Sequence, residues 1–173
     1  MPETATTPAN PFLHEIAITA IIVKDGKYLI TRRSMTKKRF PGMWTVPGGR
    51  LEAKDYLALP KDTEFYWYNV LERTLAREVM EEVGLEIKNV EYITSLATVH
   101  KDGAPSIVIS CVADWVGGDV KLNLDDPEEP DAFAWVSLEE AKNYKMIDGI
   151  YEEFVQVENL RKKGKRTLWE KAK

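Results

Sequence analysis

The sequence predicts a single domain of the α/β class, because strand-like and helix-like patterns both recur along the chain. Two runs rich in β-branched and aromatic residues, 16–23 and 28–31, flank an Asp-Gly pair, which is the strongest short-range signal for a β-hairpin. Residues 69–83 contain no glycine or proline and are followed by Gly84, which favours a helix with a glycine cap. The apolar spacing over 151–162 predicts a closing amphipathic helix.

Local signals predict the remaining elements. Further strands are predicted at 87–99, 106–116 and 133–136. Ser137 with Glu140 has the spacing of a capping box and predicts a short helix, and Asn69 with Glu72 repeats that spacing at the start of the long helix.

Two segments are predicted to lack regular structure. Residues 40–49 are rich in proline and glycine, which favours a shaped loop. Residues 1–11 are rich in threonine, alanine and proline without periodicity, which predicts a disordered tail before one domain spanning 12–173.

Composition narrows the class of protein. The 173 residues include 28 acidic and 24 basic side chains, for a net charge of −4, and 44% of the residues are hydrophobic. Cys111 is the only cysteine, which excludes an intramolecular disulfide and favours a reducing, cytoplasmic location. The longest apolar run, 16–23, is too short for a membrane helix, and the N-terminal residues lack a signal-peptide pattern. The mild acidity argues against nucleic acid as a partner.

The helix predicted over 69–83 places acidic residues on its apolar face. With Leu71 at zero on a helical projection, Glu78 falls at about −20° and Glu82 at about +20°, among the apolar residues, and Glu81 falls at about −80°. Unpaired buried carboxylates are costly, so a positive partner is expected, and Mg²⁺ prefers such oxygen ligands. The alternative is that these side chains are solvated and that Arg77 and Glu81 form an ordinary i,i+4 pair.

The run Arg77-Glu78-Val79-Met80-Glu81-Glu82-Val83-Gly84-Leu85 matches R-E-U-x-E-E-x-G-U, the second half of the Nudix box, at every specified position. Upstream, residues 44–52 resemble the strand and loop that precede the box in that family, and residues 29–33 resemble its early strand. The resemblance implies the Nudix fold, a mixed β-sheet between helices. It also implies hydrolysis of a nucleoside diphosphate linked to another moiety.

The chain departs from the family in the first half of the box. Gly49 and Arg77 are 28 positions apart, twice the fourteen of the family pattern, so the segment 53–68 is interpreted as an insertion. Counting back from Arg77, the slot of the first glutamate holds Asn69. That glutamate holds the box arginine in the family, so another acid must pair with Arg77, and the candidates are Glu52, Glu72 and Glu81.

The resemblance implies roles for individual residues. Gly48 would offer a carbonyl oxygen to a metal ion, Glu78 would be a metal ligand or general base, and Glu81 and Glu82 would be metal ligands. The implied cation is Mg²⁺, with Mn²⁺ as an alternative. Glu129, in an acidic turn before Trp135, would be the additional loop carboxylate of MutT-like members, the alternative being a solvated turn residue.

Substrate contacts are less determined by the sequence. Arg32 or Arg33 could clamp a phosphate oxygen, or both could be solvated at a strand end. The insertion ends in four consecutive aromatic residues, 65–68, of which Trp67 could stack on a base. Packing of these residues against the core or a second subunit is favoured, because four in a row cannot all face one ligand, and this leaves a homodimer open. Phe40 is interpreted as a core residue or a base contact.

The substrate class follows from an absent marker. ADP-ribose-cleaving relatives carry a proline downstream of the box, where this chain has His100 and Lys101, so a nucleoside triphosphate or similar small nucleotide is preferred. The alternative function is a Nudix-like module that senses a nucleotide without cleaving it. Such modules are expected to lose box carboxylates, and this chain keeps the three of the second half, Glu78, Glu81 and Glu82.

Overall fold

The structure, a computed structural model, describes residues 12–164, so the predicted tail at 1–11 lies outside the described residues. The strands are β1 (Glu15–Lys24), β2 (Lys27–Arg32), β3 (Trp44–Thr45), β4 (Gly48–Arg50), β5 (Glu86–Val99), β6 (Pro105–Gly117) and β7 (Ala132–Val136). The helices are α1 (Lys54–Leu57), α2 (Val70–Val83), α3 (Leu138–Ala141) and α4 (Ile150–Lys162). In the described part of the chain, no helix is both long and apolar enough to cross a membrane.

The strands form one mixed sheet in the order β3-β2-β1-β6-β5, with β4 paired to β1 and β7 paired to β2. The central pair β1–β6 is parallel, whereas β1–β2, β2–β7 and β5–β6 are antiparallel. Alternate residues of β1 face opposite sides of the sheet. Ile18 and Ile22 pack with Val79 of α2, and Ile21 packs with Phe154 of α4. The prediction of a mixed sheet between helices is therefore confirmed.

The ends of α2 differ in how they follow the sequence signals. Gly84 has a φ of 67° and its N–H donates to the Met80 carbonyl oxygen, as the glycine cap predicts. The capping box at Asn69 is wrong: Asn69 has a left-handed φ of 55° and its side chain makes no capping hydrogen bond. An N-cap side chain reaches the helix N–H groups from an extended backbone, which Asn69 does not have. The capping box at Ser137 is present.

One edge of strand β1 is shared between β2 and β4. This positions residues 46–49, here called the glycine turn, which lead from β3 into β4. Near its end β1 pairs with β2 at Val23, and near its start it pairs with β4 over residues 17–19. The close approach of β4 requires glycine, since a Cβ on Gly48 would lie 2.3 Å from the Ile18 carbonyl oxygen and Gly48 has a φ of 148°. Residues 40–49, predicted as a loop throughout, therefore contain two short strands.

Candidate active site

Helix α2 presents two carboxylates to the glycine turn. The Gly48 N–H donates a hydrogen bond to Glu82 Oε2 at 3.0 Å. The Glu78 carboxylate packs against Gly49 so closely that a Cβ there would lie 2.0 Å from its carboxyl carbon. The structure therefore places both side chains against the turn, in the sector that the helical projection gave them.

Burial raises the pKa of these carboxylates. Loss of solvent raises the pKa of Glu82 to about 8, with the Gly48 N–H opposing the shift and repulsion from Glu129 and Glu78 adding to it. Burial also raises the pKa of Glu78, although the Arg77 charge opposes that shift. Carboxylates in such an environment are costly to ionise, so the cluster favours a further positive charge.

Glu129 joins this cluster from the loop before β7. Its side chain is partly buried, whereas the neighbouring Glu128 is exposed. Burial raises the pKa of Glu129, Lys37 opposes the shift, and repulsion from Asp126, Glu78 and Glu81 adds to it. Glu129 thus lies within electrostatic range of the α2 carboxylates, and its role as the additional loop carboxylate stays a prediction.

Arg77 lies at the solvent side of the cluster and contacts three carboxylates. Its Nη1 lies 2.7 Å from Glu81 Oε2, and its Nη2 lies 2.8 Å from Glu78 Oε1 and 2.9 Å from Asp55 Oδ1. Of the three candidates for its partner, Glu81 is therefore found. Glu52 instead pairs with Lys54 at 2.9 Å. Glu72, on the same helix, forms no ion pair with Arg77.

Asp55 is a site residue that the sequence reasoning missed. Its side chain is only 4% exposed, and its Oδ2 accepts hydrogen bonds from the Glu52 N–H at 2.8 Å and the Thr74 hydroxyl at 3.3 Å. The signal was present: six positions forward from Gly49, where the family pattern has its first glutamate, the chain has Asp55. Counting back from Arg77 instead led to Asn69. Asp55 thus fits the slot of that first glutamate, and the insertion at 53–68 stays a prediction.

The donors at this site fit a hard divalent cation by their chemistry, since all the candidate side chains are carboxylates. In residues 12–164, however, no three acidic, histidine or cysteine side chains are gathered closely enough to share one ion. Arg77 holds Glu78 and Glu81, and the Gly48 N–H holds Glu82. An ion would therefore compete with these contacts for the carboxylate oxygens.

Two basic side chains, Arg33 and Lys37, act electrostatically on the cluster. Burial lowers the pKa of Arg33, attraction to Glu82 opposes that shift, and repulsion from Arg50 adds to it, so Arg33 lies within electrostatic range of the carboxylates. Lys37 was not singled out from the sequence, yet its charge opposes the rise in the pKa of Glu82 and Glu129, and it pairs with Glu128 at 3.3 Å. Its signal was the density of basic residues in this loop.

Arg32 has a different environment from Arg33. Its Nε donates to Asp131 Oδ1 at 2.6 Å, and its carbonyl oxygen accepts the Asp131 N–H at 3.1 Å. These contacts fix the end of the loop that carries Glu129. Arg32 is thus engaged in holding a loop, and Arg33 is the better placed of the two to contact a phosphate.

The predicted aromatic contacts separate in the structure. Trp67 donates from Nε1 to the Leu59 carbonyl oxygen at 3.0 Å, and its ring lies 5.3 Å from that of Tyr56. It therefore packs within the segment 53–68 itself, and the favoured packing of these aromatic residues against the core or a second subunit stays a prediction. Phe40 is 44% exposed in a turn and is not a core residue. Phe65, Tyr66 and Tyr68 are also exposed.

Replacing Asp55 by asparagine is expected to lower the free energy of unfolding at pH 7 by about 1–3 kcal/mol, because a buried charged partner of Arg77 is lost. Burial tends to raise the pKa of Asp55, but the Glu52 N–H and Arg77 outweigh it and the pKa is lowered. Its stabilising effect is therefore present above the unfolded pKa of about 4 and is lost as the pH falls through the folded value. Urea unfolding at pH 7 and pH 3 measures this.

Glu64→Gln, in the same segment and exposed, is the matched control and should change stability by about 0.5 kcal/mol or less. An Asp55→Asn variant as stable as Glu64→Gln at pH 7 would contradict the anchoring role of Asp55.

Comparison with known proteins agrees with this geometry. Residues 13–157 match the model of the NUDIX domain family. The chain is 26% identical over 145 residues to the nucleoside triphosphatase NudI of Klebsiella pneumoniae strain 342, covering 75% of this chain and 86% of that protein. It is 30% identical over 129 residues to the CTP pyrophosphohydrolase of Escherichia coli K12, covering 75% and 80% respectively.

A solved structure supports the fold. The MutT NUDIX hydrolase from Burkholderia pseudomallei superposes with a TM-score of 0.65 at 20% identity, covering 84% of this chain and 98% of that one. The family match spans most of the chain and includes the glycine turn, α2 and the loop of Glu129. The chain therefore belongs to the Nudix family and is a Nudix pyrophosphohydrolase.

Proposed function

We propose that this enzyme hydrolyses nucleoside triphosphates or closely similar small nucleotides with the help of a divalent cation. The observation that carries the proposal is the approach of Glu78 and Glu82 to the glycine turn, with Glu129, Arg33 and Lys37 within electrostatic range of them. The names of the two relatives, a nucleoside triphosphatase and a CTP pyrophosphohydrolase, support the substrate class.

The cation would be Mg²⁺, with Mn²⁺ as an alternative, held by Glu78, Glu81, Glu82 and the Gly48 carbonyl oxygen. A bound divalent cation supplies positive charge beside the phosphate oxygens and makes water a stronger acid. The raised pKa of Glu82 supports this assignment, because a nearby cation removes the cost of ionising it.

The protein's own groups have two tasks in this reaction. Glu78 or Glu129 would take the proton from the attacking water, and the raised pKa of each makes it a stronger base than a solvated carboxylate. Arg33 and Lys37 would bind the phosphate oxygens and oppose the charge that repels the nucleophile. Phe40, which is exposed in the same loop as Arg33 and Lys37, stays a candidate for contact with the base.

Three further expectations stay predictions. These are a cytoplasmic location, the absence of nucleic-acid and membrane partners, and a homodimer formed through the aromatic segment. Trp67 does not support base stacking, because its ring and indole N–H are engaged within the segment.

The first test is a nucleotide panel with the full chain and Mg²⁺. We expect nucleoside triphosphates to be cleaved with a higher kcat/KM than ADP-ribose, with phosphate or pyrophosphate release as the measurement. Binding without turnover across the panel would point to the sensing module instead. A clear preference for ADP-ribose would overturn the substrate class.

Glu82→Gln should reduce kcat by at least about 100-fold, because it removes a negative ligand from the cation on which the reaction depends. The far-ultraviolet circular dichroism should be unchanged, since the amide is similar in shape. Glu86→Gln, exposed three residues beyond the helix, is the control and should retain wild-type kcat. Near-normal turnover of Glu82→Gln removes this residue from the site.

The pKa of Glu82 gives a test that is independent of activity. A carboxyl group with a raised folded-state pKa stabilises the fold below its unfolded pKa of about 4.3, and this contribution is lost as the pH rises. In EDTA, the unfolding free energy of the wild type should therefore fall relative to Glu82→Gln up to a pH of about 8. Mg²⁺ should restore the unfolding free energy in the wild type only. If the unfolding free energies of the two proteins in EDTA change with pH in parallel, Glu82 is not the proposed cation ligand with a raised pKa.

A further inference from the structure

Residues 33–43, here called the basic loop, connect β2 to β3, and the two ends of the loop are hydrogen-bonded to each other. The Arg33 N–H donates to the Met43 carbonyl oxygen and the Gly42 N–H donates to the Arg33 carbonyl oxygen, both at 3.0 Å. These two bonds close the neck of the loop at Arg33. The position of the Arg33 side chain therefore depends on the conformation of this loop.

Arg39 ties the basic loop to two distant segments. Its Nη1 lies 2.7 Å from Glu15 Oε2 at the start of β1, and its Nη2 lies 2.7 Å from Asp102 Oδ2 in the β5–β6 turn. Glu15 Oε2 also accepts the Ser106 hydroxyl at 3.0 Å. The Arg39 side chain is 27% exposed, so these pairs are partly shielded and stronger than fully exposed ones.

The same residue orients Arg33 through its main chain. The Arg39 carbonyl oxygen accepts a hydrogen bond from Arg33 Nε at 3.0 Å. A guanidinium is planar, so a bond at Nε together with the loop neck fixes the plane of the group. This leaves the two Nη groups as the fork that can bind two phosphate oxygens.

We propose that Arg39 is a positioning residue for Arg33. By bridging Glu15 and Asp102 it holds its own carbonyl oxygen where the Arg33 guanidinium is aimed at the phosphates of the substrate. This inference rests on the proposed function for the identity of the anion, a nucleotide polyphosphate. It predicts that loss of Arg39 acts on phosphate binding through Arg33 and not through a general loss of structure.

A double-mutant cycle with Arg33→Gln and Arg39→Gln tests this, using isothermal titration of the full chain with inorganic tripolyphosphate and Mg²⁺. Each single variant should weaken the affinity about tenfold, as expected for loss of a charge-assisted hydrogen bond. The double variant should be within about twofold of Arg33→Gln, because the two residues act in series. Lys38→Gln, an exposed neighbour with the same change of charge, should stay within about twofold of wild type.

Additive losses in the cycle, or an Arg39→Gln affinity equal to that of Lys38→Gln, would overturn the inference, as would a wild type that does not bind tripolyphosphate. If Arg39→Gln does not fold, Asp102→Asn takes its place in the cycle, since Asp102 is an exposed partner of Arg39. Asp102→Asn should weaken the affinity less than Arg39→Gln does. Combined with Arg33→Gln, it should cause no further loss of affinity.

Turnover separates this inference from the proposed function. With a nucleoside triphosphate, Arg39→Gln should raise KM while kcat stays within about threefold, because the lost contact binds ground state and transition state alike. A wild type that binds tripolyphosphate and shows the masked cycle without hydrolysing any nucleotide contradicts the proposed function and leaves the positioning role supported. Hydrolysis of a nucleotide together with additive losses in the cycle supports the proposed function and contradicts the positioning role.

Discussion

The site depends on the contact between the glycine turn, where Gly48 and Gly49 carry no side chains, and helix α2, which carries the carboxylates. Glu78 lies where a Cβ on Gly49 would be, and Gly48 sits against the backbone of β1 with no space for a side chain. Because β1 leaves its pairing with β2 and takes β4 as a neighbour, the turn reaches the face on which α2 packs. Glu78 and Glu82 can therefore lie at the edge of the apolar core, where a Glu82 oxygen accepts the Gly48 N–H and Glu78 packs against Gly49.

Charge balance around this contact explains the surrounding network. Asp55 fixes Arg77, and Arg77 in turn holds Glu78 and Glu81, so one guanidinium offsets several carboxylates on the solvent side. Lys37 partly opposes the rise in the pKa of Glu82 and of Glu129 that burial causes. Arg77 and Lys37 together thus offset part of the negative charge of the cluster.

The sequence predicted the parts of this structure that depend on local periodicity. The longer strands, such as β5 and β6, follow from residue spacing within single elements. The same is true of α2, its glycine cap and the inward direction of Glu78 and Glu82. Asp55 was missed because its role depends on a contact across the inserted segment, where counting from the wrong end gave Asn69. Lys37 and Arg39 lie in a loop without periodicity, whose shape is set by contacts with Glu15, Asp102 and the acidic turn.

The anchoring of Arg77 by Asp55 has a consequence for how such enzymes vary. Once both ends of the connecting segment are fixed by this ion pair, its length matters little, since doubling a flexible loop costs only about 0.6 kcal/mol in closure entropy. The interval of 28 positions between Gly49 and Arg77 thus costs little in stability. Pattern searches that demand a constant interval will overlook enzymes built in this way, whereas a search for the paired acid and arginine in space will recover them.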